Sequence, residues 1–274
     1  MHTETLYIES RQNPRLKELA HLWDRKHRER MGLFLVEGQR EIQHAMLSAF
    51  EMTTLFFCPE LFSDETPATI INNLRSSHTQ KTEIVRLSKA AFEKISRRQG
   101  PDGLLAVAQI KSLRLGDLKL NTTPLLFIVE GIEKPGNLGA MLRTADAAGV
   151  DALIMVNCAV DLFNPNVIRT SQGMVFHLPV VDVDMAPLQH WLEDNTIQPI
   201  ALTPHASETL WQLDLTIPTA FVFGAEDKGL SEQWMHTKMH PCKIPMSGAA
   251  DSLNVSATAA ICAFEARRQR NQQL

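Results

Sequence analysis

The sequence predicts an α/β chain in two parts, a small N-terminal α/β domain followed by a C-terminal domain built on an open parallel sheet. Two observations carry that expectation. In the second half, the continuous apolar runs LLFIVEG (125–131), VDALIMV (150–156), PIALT (199–203), TAFVFG (219–224) and CKIPM (242–246) read as strands covered on both faces. The chain between them is long enough for crossover helices, as parallel pairing requires. In the first half, shorter apolar runs alternate with helical segments, and the halves meet at Ser112 to Pro124 (SLRLGDLKLNTTP), which lacks periodicity and carries Gly, Asn and Pro. The expected division is a domain over 1–111, a linker over 112–124 and a domain over 125–274.

Taken in order, Asn13-Pro14 opens a helical pattern in which Leu16, Leu19, Ala20 and Trp23 recur at three and four residues; Gly32 stops it and FLVEG follows as a strand. TLFFC (54–58), EIVRL (83–87) and GLLAVAQ (103–109) are further strands, separated by helical segments around Glu41 to Phe50 and Ser88 to Ile95.

Composition excludes several classes. With 274 residues, 44% apolar and 21% charged, the chain is globular and large enough for a sizeable core. Cys58, Cys158, Cys242 and Cys262 form no C-x-x-C pair, so neither a disulfide framework nor a zinc ribbon is signalled, and a reduced, cytoplasmic setting is expected. The N-terminus MHTETLYIESRQNPRLKEL has no apolar export core, and no segment has the length of a membrane span. The net charge of −4 averages unlike halves: residues 1–111 hold 16 Lys and Arg against 14 Asp and Glu, and the remainder 11 against 17. The basic excess is densest at Arg25, Lys26, Arg28 and Arg30, which read either as a solvated helix end or as contacts to RNA phosphates. His236 and His240 have i, i+4 spacing, but no glutamate follows the first and no third ligand is marked, so no metal is expected.

Three segments concentrate special residues at strand ends: EGIEKPGNLGAMLRTADAAGV (130–150), VFGAEDKGLS (222–231) and IPMSGAADSLNVSATAAICAFEARRQR (244–270). In the first, Asn137 is a plausible helix cap, Leu138, Met141, Leu142, Ala145 and Ala148 make one apolar stripe, and Gly149 closes it. Arg143 lies off that stripe, and from the helix alone an exposed arginine is the simpler reading. The second has glycine spacing reminiscent of a phosphate-binding loop, but Leu230 stands where the lysine would reach the phosphates. In the third, Ser252, Asn254 and Ser256 cluster at the entrance of a helix with two apolar faces: Val255, Ala259, Cys262 and Ala266 on one, Ala257, Ile261 and Phe264 on the other. One face suits the sheet and the second suits another subunit.

Together, and in this order, these segments resemble the three motifs of the SpoU-type (TrmH-like) RNA ribose methyltransferases of the SPOUT class. The resemblance rests on Asn137, Gly139, Arg143 and Gly149; on Gly224, Glu226 and Gly229; and on Ile244, Pro245, Met246, Ser252, Leu253, Asn254 and Ser256. Asn13-Pro14 with RMGLFLVEG is similar to the start of that family's substrate-binding domain, which itself resembles a small RNA-binding ribosomal protein, and RTSQGMVFHLPV (169–180) resembles a further family segment. One departure is Lys134, where an acidic residue is expected before the proline.

The resemblance implies a C-terminal trefoil knot that binds S-adenosylmethionine, with Gly224, Ile244, Met246 and Leu253, joined by Thr203, lining the cofactor pocket largely through backbone groups. It implies an RNA substrate, ribosomal before transfer RNA, and a homodimer through the C-terminal domains. By position Arg143 is the catalytic arginine. A guanidinium stays protonated, so the expected role is stabilisation of a developing 2′-alkoxide, with Glu226, Ser252, Asn254 and Asn137 holding the arginine and the RNA. The rival reading, an idle RNA-binding module of the same fold, expects Arg143, Glu226 or Asn254 to be missing, and all three are present.

Overall fold

The computed structural model describes residues 5–48, 50–76, 82–236 and 238–271. The chain forms two compact units, one of Met1–Lys111 with Phe163–Phe176, the other of Ser112–Leu162 with His177–Leu274. The start of the N-terminal stretch read for an export signal, residues 1–4, lies outside the described residues.

In the first unit the order is β1 (Leu6–Ile8), α1 (Pro14–Ala20), α2 (Arg25–Met31), β2 (Leu33–Glu37), α3 (Gln39–Leu47), β3 (Met52–Phe57), α4 (Thr66–Ser76), β4 (Glu83–Leu87), α5 (Lys89–Ile95) and β5 (Leu104–Gln109). Asn13 caps α1 by accepting from the Arg15 amide at 2.9 Å, with Pro14 in the first turn. The single helix expected up to Gly32 is broken: after a 3-10 turn at His21–Trp23, Asp24 is extended and recaps the chain by accepting from Lys26 N. Gly32 ends α2 in the left-handed conformation, φ 64°, that its lack of a Cβ permits. The sheet order is β1-β4-β3-β5-β2, with β5 antiparallel to β3 and β2 and the remaining pairs parallel. Leu16, Leu19 and Leu22 bury one sheet face together with Phe92 and Ile95 of α5.

In the second unit, β6 (Leu125–Glu130), α6 (Pro135–Ala148) and β7 (Ala152–Val156) come first. The segment Phe163–Phe176, carrying α7 (Pro165–Thr170), packs within the first unit, where Phe163 stacks on Phe34 at 4.2 Å between ring centroids. The second unit resumes with β8 (Val180–Asp182), α8 (Met185–Asp194), β9 (Gln198–Leu202), β10 (Thr219–Phe223), β11 (His240–Cys242) and α9 (Val255–Asn271). All pairs in the sheet β11-β9-β10-β6-β7-β8 are parallel. Both faces are covered, which is why its strands read as unbroken apolar runs. Leu126 and Ile128 join a core with Leu188 and Trp234, while Phe127 on the opposite face meets Phe223 edge-on.

Three further expectations change. Leu115, Leu118 and Leu120 pack against the second unit's core, so the stretch read as a linker is bound structure rather than a tether. Among the described residues, the connections from β9 to β10 and from β10 to β11 contain 3-10 turns at Leu210–Gln212 and Glu232–His236 rather than crossover helices. CKIPM is a strand only at Cys242; β11 lies upstream and the apolar residues beyond it form a loop. No helix among the described residues is long and apolar enough to cross a membrane.

Candidate active site

The first special loop begins where β6 ends. Gly131 takes φ 66°, and Pro135 starts α6 at its first position. Asn137 does not cap this helix: Lys134 occupies the cap without a side-chain bond, and Asn137 lies inside the first turn. Its side chain is thereby free to reach across, and Asn137 Nδ2 donates to Glu226 Oε1. Leu138, Met141, Leu142, Ala145 and Ala148 are buried, against a face of α9 made of Val255, Ala259, Cys262, Ala263 and Ala266. The small residues let the helices approach closely, and burying each of the larger chains contributes about 1.5–3 kcal/mol at most. Gly149 closes α6 with φ 72°.

The second loop leaves β10 at Gly224 and doubles back. Ala225 and Gly229 exchange backbone hydrogen bonds of 3.0 and 2.9 Å. A Cβ at Gly224 would stand 2.2 Å from the Gly229 carbonyl carbon, and Gly229 itself has φ 68°. Both glycines are therefore needed to close the turn, at whose tip Glu226 is presented. The end of the loop is held by Glu130, a buried carboxylate that accepts from Ser231 N at 2.9 Å and Ser231 Oγ at 2.6 Å.

The third segment completes the junction. Asn254 Oδ1 accepts from Ser256 N at 2.9 Å, capping α9, while Asn254 Nδ2 donates to Asn137 Oδ1 at 3.2 Å. The amide of Asn137 thus links Glu226 to Asn254, one residue from each segment. Lys134 Nζ donates to Glu226 Oε2. This partner, first, and Asn137 hold the Glu226 carboxyl below its usual range, and Glu226 in turn raises Lys134. The far end of α9 is tied down by Arg270, whose guanidinium donates to the carbonyls of Thr123, Pro124, Leu215 and Ile217.

Beside this junction, β9, β10 and β11 end in a row. Thr203 N donates to Cys242 O at 3.0 Å, and Gly224 follows the neighbouring strand end. Thr203, Gly224 and Ile244 are half-buried there, and Met246 and Leu253 expose apolar side chains in the loop that follows. Backbone groups at strand ends beside unpartnered apolar surface fit a ligand such as S-adenosylmethionine, which needs polar contacts for an adenosine and apolar walls.

Arg143 is not brought to the junction. It is exposed on α6, six residues beyond Asn137, hence about 9 Å further along the axis. Ser252 is exposed two residues before Asn254. In the first unit Arg25, Lys26 and Arg30 are exposed, Arg25 pairing with Glu29, but Arg28 is 2% exposed and donates to the carbonyls of Leu22 and Trp23. The expectation of an Arg28–phosphate contact is corrected: this guanidinium holds the turn that breaks the helix. The side chain of His236 lies outside the described residues, and His240 meets Glu208 at 2.6 Å. Among the described residues no group of three His, Cys, Asp or Glu could hold a metal ion. Sequence reasoning missed Glu130 with Ser231, and read Lys134 only as a departure. The available signal was an acidic residue ending an otherwise apolar strand.

Residues 124–264 match the SpoU rRNA Methylase family and residues 13–106 the MRM3-like substrate binding domain. A 23S rRNA (guanosine(2553)-2'-O)-methyltransferase, RlmP, of Bacillus subtilis (strain 168) is 27% identical, covering 95% of this chain and 98% of its own. The crystal structure of an RNA 2'-O ribose methyltransferase, 36% identical, superposes with a TM-score of 0.82 over 97% of this chain and all of that one. The SpoU methyltransferase AviRb from Streptomyces viridochromogenes, in complex with AdoMet, is 27% identical with a TM-score of 0.85, covering 95% of this chain and 99% of its own. The chain belongs to the SpoU rRNA Methylase family.

Proposed function

We propose that this member of the SpoU family transfers the methyl group of S-adenosylmethionine to a ribose 2′-hydroxyl of ribosomal RNA. The observation that carries the reading is the junction of Asn137, Glu226 and Asn254, which joins all three motif segments beside the ends of β9, β10 and β11. S-adenosylmethionine supplies an activated methyl group, so the protein's task is the weak nucleophilicity of the hydroxyl. Thr203, Gly224, Ile244, Met246 and Leu253 are the residues that would hold it.

In this reading S-adenosylhomocysteine departs as the methyl–oxygen bond forms and the hydroxyl proton passes to a phosphate oxygen or to water, while Arg143 remains charged and stabilises the developing 2′-oxyanion and the adjacent phosphate, a task for a fixed cation rather than a base. Glu226, kept ionised by Lys134 and Asn137, orients that guanidinium, with Ser252 and Asn254 on the RNA side. Arg143 reaches the site from a second copy of the chain. Support comes from the face Ala257, Ile261 and Phe264 of α9, where Phe264 is 50% exposed while the opposite face is buried. A homodimer through this helix, threading of the segment before α9 as a trefoil knot, and a cytoplasmic location belong to the same proposal. Arg25, Lys26 and Arg30 of the first unit contact RNA phosphates.

The test is incubation of the purified protein and labelled S-adenosylmethionine with unmethylated ribosomal and transfer RNA, followed by mapping of 2′-O-methyl positions. Methyl groups on ribosomal RNA ribose are expected. Methylation of a base, or of transfer RNA alone, would overturn the reading.

A further inference from the structure

The first unit contains a cavity of about 280 Å³ whose walls include Trp23, Glu37, Arg97, Arg98, Asn166 and Arg169. That volume lies at the small end of ligand sites and suits one nucleotide rather than a longer segment. Glu37 is 7% exposed, and its carboxylate accepts from Ser96 Oγ and from Arg97 N at 3.0 Å. Among the described residues no cation pairs with it, and two hydrogen bonds leave acceptor sites unused on a carboxylate. Arg98 is committed elsewhere: it pairs with Glu41 at 2.8 Å and crosses Gly38, where a Cβ would stand 2.3 Å from its Nη1.

The other two arginines are available. The Arg97 guanidinium lies 5.8 Å from the ring centroid of Trp23, whose Nε1 is fixed to Ile95 O at 2.9 Å. Arg169 is exposed and steadied by Asn166 Oδ1 at 2.9 Å. Neither meets a carboxylate among the described residues. A flat cationic stack, a buried acceptor and a second free cation are the groups needed for a base face, a base edge and a phosphate.

Resting on the reading of the chain as an RNA methyltransferase, we propose that this cavity captures one unstacked guanine nucleotide of the substrate RNA. The base lies on the Arg97–Trp23 stack, its edge meets Glu37, and its phosphate meets Arg169. Guanine is the base that presents two adjacent donors, N1–H and the N2 amino group, to a carboxylate. Adenine and cytosine place an acceptor beside their amino group, and uracil flanks its single N–H with two carbonyls, so each sets an oxygen or nitrogen lone pair against Glu37.

The test measures binding to the full-length protein of GMP, AMP, CMP and UMP by calorimetry, and of the pentamers UUGUU and UUAUU by fluorescence anisotropy. GMP should bind at least about tenfold tighter than the others, and UUGUU about tenfold tighter than UUAUU. Glu37→Gln should bring GMP down to the level of AMP. Arg169→Ala, an exposed substitution that leaves the fold intact, should weaken UUGUU and UUAUU alike by about tenfold, and it carries the test should Glu37→Gln fail to fold. Equal binding of the four nucleotides, a guanine preference that survives Glu37→Gln, or unchanged pentamer affinity in Arg169→Ala would overturn the proposal. So would GMP selectivity without pentamer selectivity, which would assign the cavity to a free nucleotide. RNA methylation by a protein without guanine preference rejects this site alone; guanine-selective binding without methyl transfer rejects the enzymatic reading alone.

Discussion

Replacing Gly224 with alanine tests how the loop presenting Glu226 is built. The added Cβ would stand 2.2, 2.4 and 2.5 Å from Gly229 C, Gly229 O and Leu230 N. Unstrained carbon contacts lie at about 3.5–4.0 Å, so the overlap exceeds an ångström, and because the obstructing atoms are backbone no side-chain rotation relieves it. The loop must shift, straining or breaking the paired Ala225–Gly229 hydrogen bonds. Overpacking of this kind costs about 1–3 kcal/mol. For a unit of this size each kcal/mol lowers the unfolding midpoint by about 2–4 °C, so a fall of about 2–12 °C is expected.

Two other glycines calibrate the result. Gly229→Ala meets open space but must hold φ 68°, which costs about 1–2 kcal/mol. Gly136→Ala, in open space in the first turn of α6, should be neutral or stabilising by up to about 1 kcal/mol. Thermal unfolding gives the stability ranking, and calorimetry with S-adenosylmethionine reports the loop, where Gly224→Ala should lose most affinity. A Gly224→Ala protein with the wild-type midpoint and cofactor affinity would refute the reasoning.

Other outcomes follow from single residues. Arg143→Ala should abolish turnover while S-adenosylmethionine affinity, by calorimetry, stays near wild type; equal loss of both would remove Arg143 from its proposed role. Arg28→Ala should destabilise the first unit by about 1–3 kcal/mol, since it unpairs the Leu22 and Trp23 carbonyls, whereas alanine at Arg25, Lys26 or Arg30 should lower the salt slope of RNA binding by about one unit each. Glu226 titrates below its unfolded value, so its paired form is complete above the ordinary carboxylate range and is lost as pH falls through the lowered value. Lys134→Ala should therefore move the acid limb of the kcat/KM profile to higher pH, and an unmoved limb would count against the pairing. Burial pushes the Cys58, Cys158 and Cys262 thiols up and the Cys242 thiol up to about 12, so a disulfide reagent at pH 8 should label the folded protein slowly and the denatured protein completely.

Elements with local causes were legible in the sequence. EIVRL is β4 to the residue, Asn13 and Ser88 cap the helices they precede, and Gly32 and Gly149 end theirs in the left-handed conformation. The apolar faces of α6 and α9 were legible because spacing alone defines them. What escaped depends on residues far apart in the chain. Glu226 lies 92 residues from Lys134 and 89 from Asn137, and no local pattern says which side chains a loop tip will meet. Arg28 looked like its basic neighbours because a charge run carries no sign of burial, and only the break at Asp24 turns that side chain inward. The three-residue strands β1 and β8 are too short for period-two alternation to register.

The position of Arg143 follows from the same helix pair that makes the core. On α6 every side chain of the apolar stripe is committed to burial, so a residue off that stripe points away from the packing that fixes α6 on α9. Asn137 escapes this constraint because it sits in the first turn, beside the strand ends, where it can reach Glu226 and Asn254. Arg143 sits about 9 Å further along the helix and, among the described residues, meets neither Glu226 nor Asn254. An exposed arginine there serves a reaction only when another molecule brings the reacting groups to it. The outward face of α9 offers the means: Ala257 and Phe264 are exposed and Ile261 is half-buried, whereas Val255, Ala259, Cys262 and Ala266 are buried. In the proposed dimer two copies pair through that face, and assembly becomes a condition of catalysis. Phe264→Glu should then yield monomers that bind S-adenosylmethionine and transfer nothing, and an active wild-type monomer in sedimentation at assay concentration would refute the arrangement.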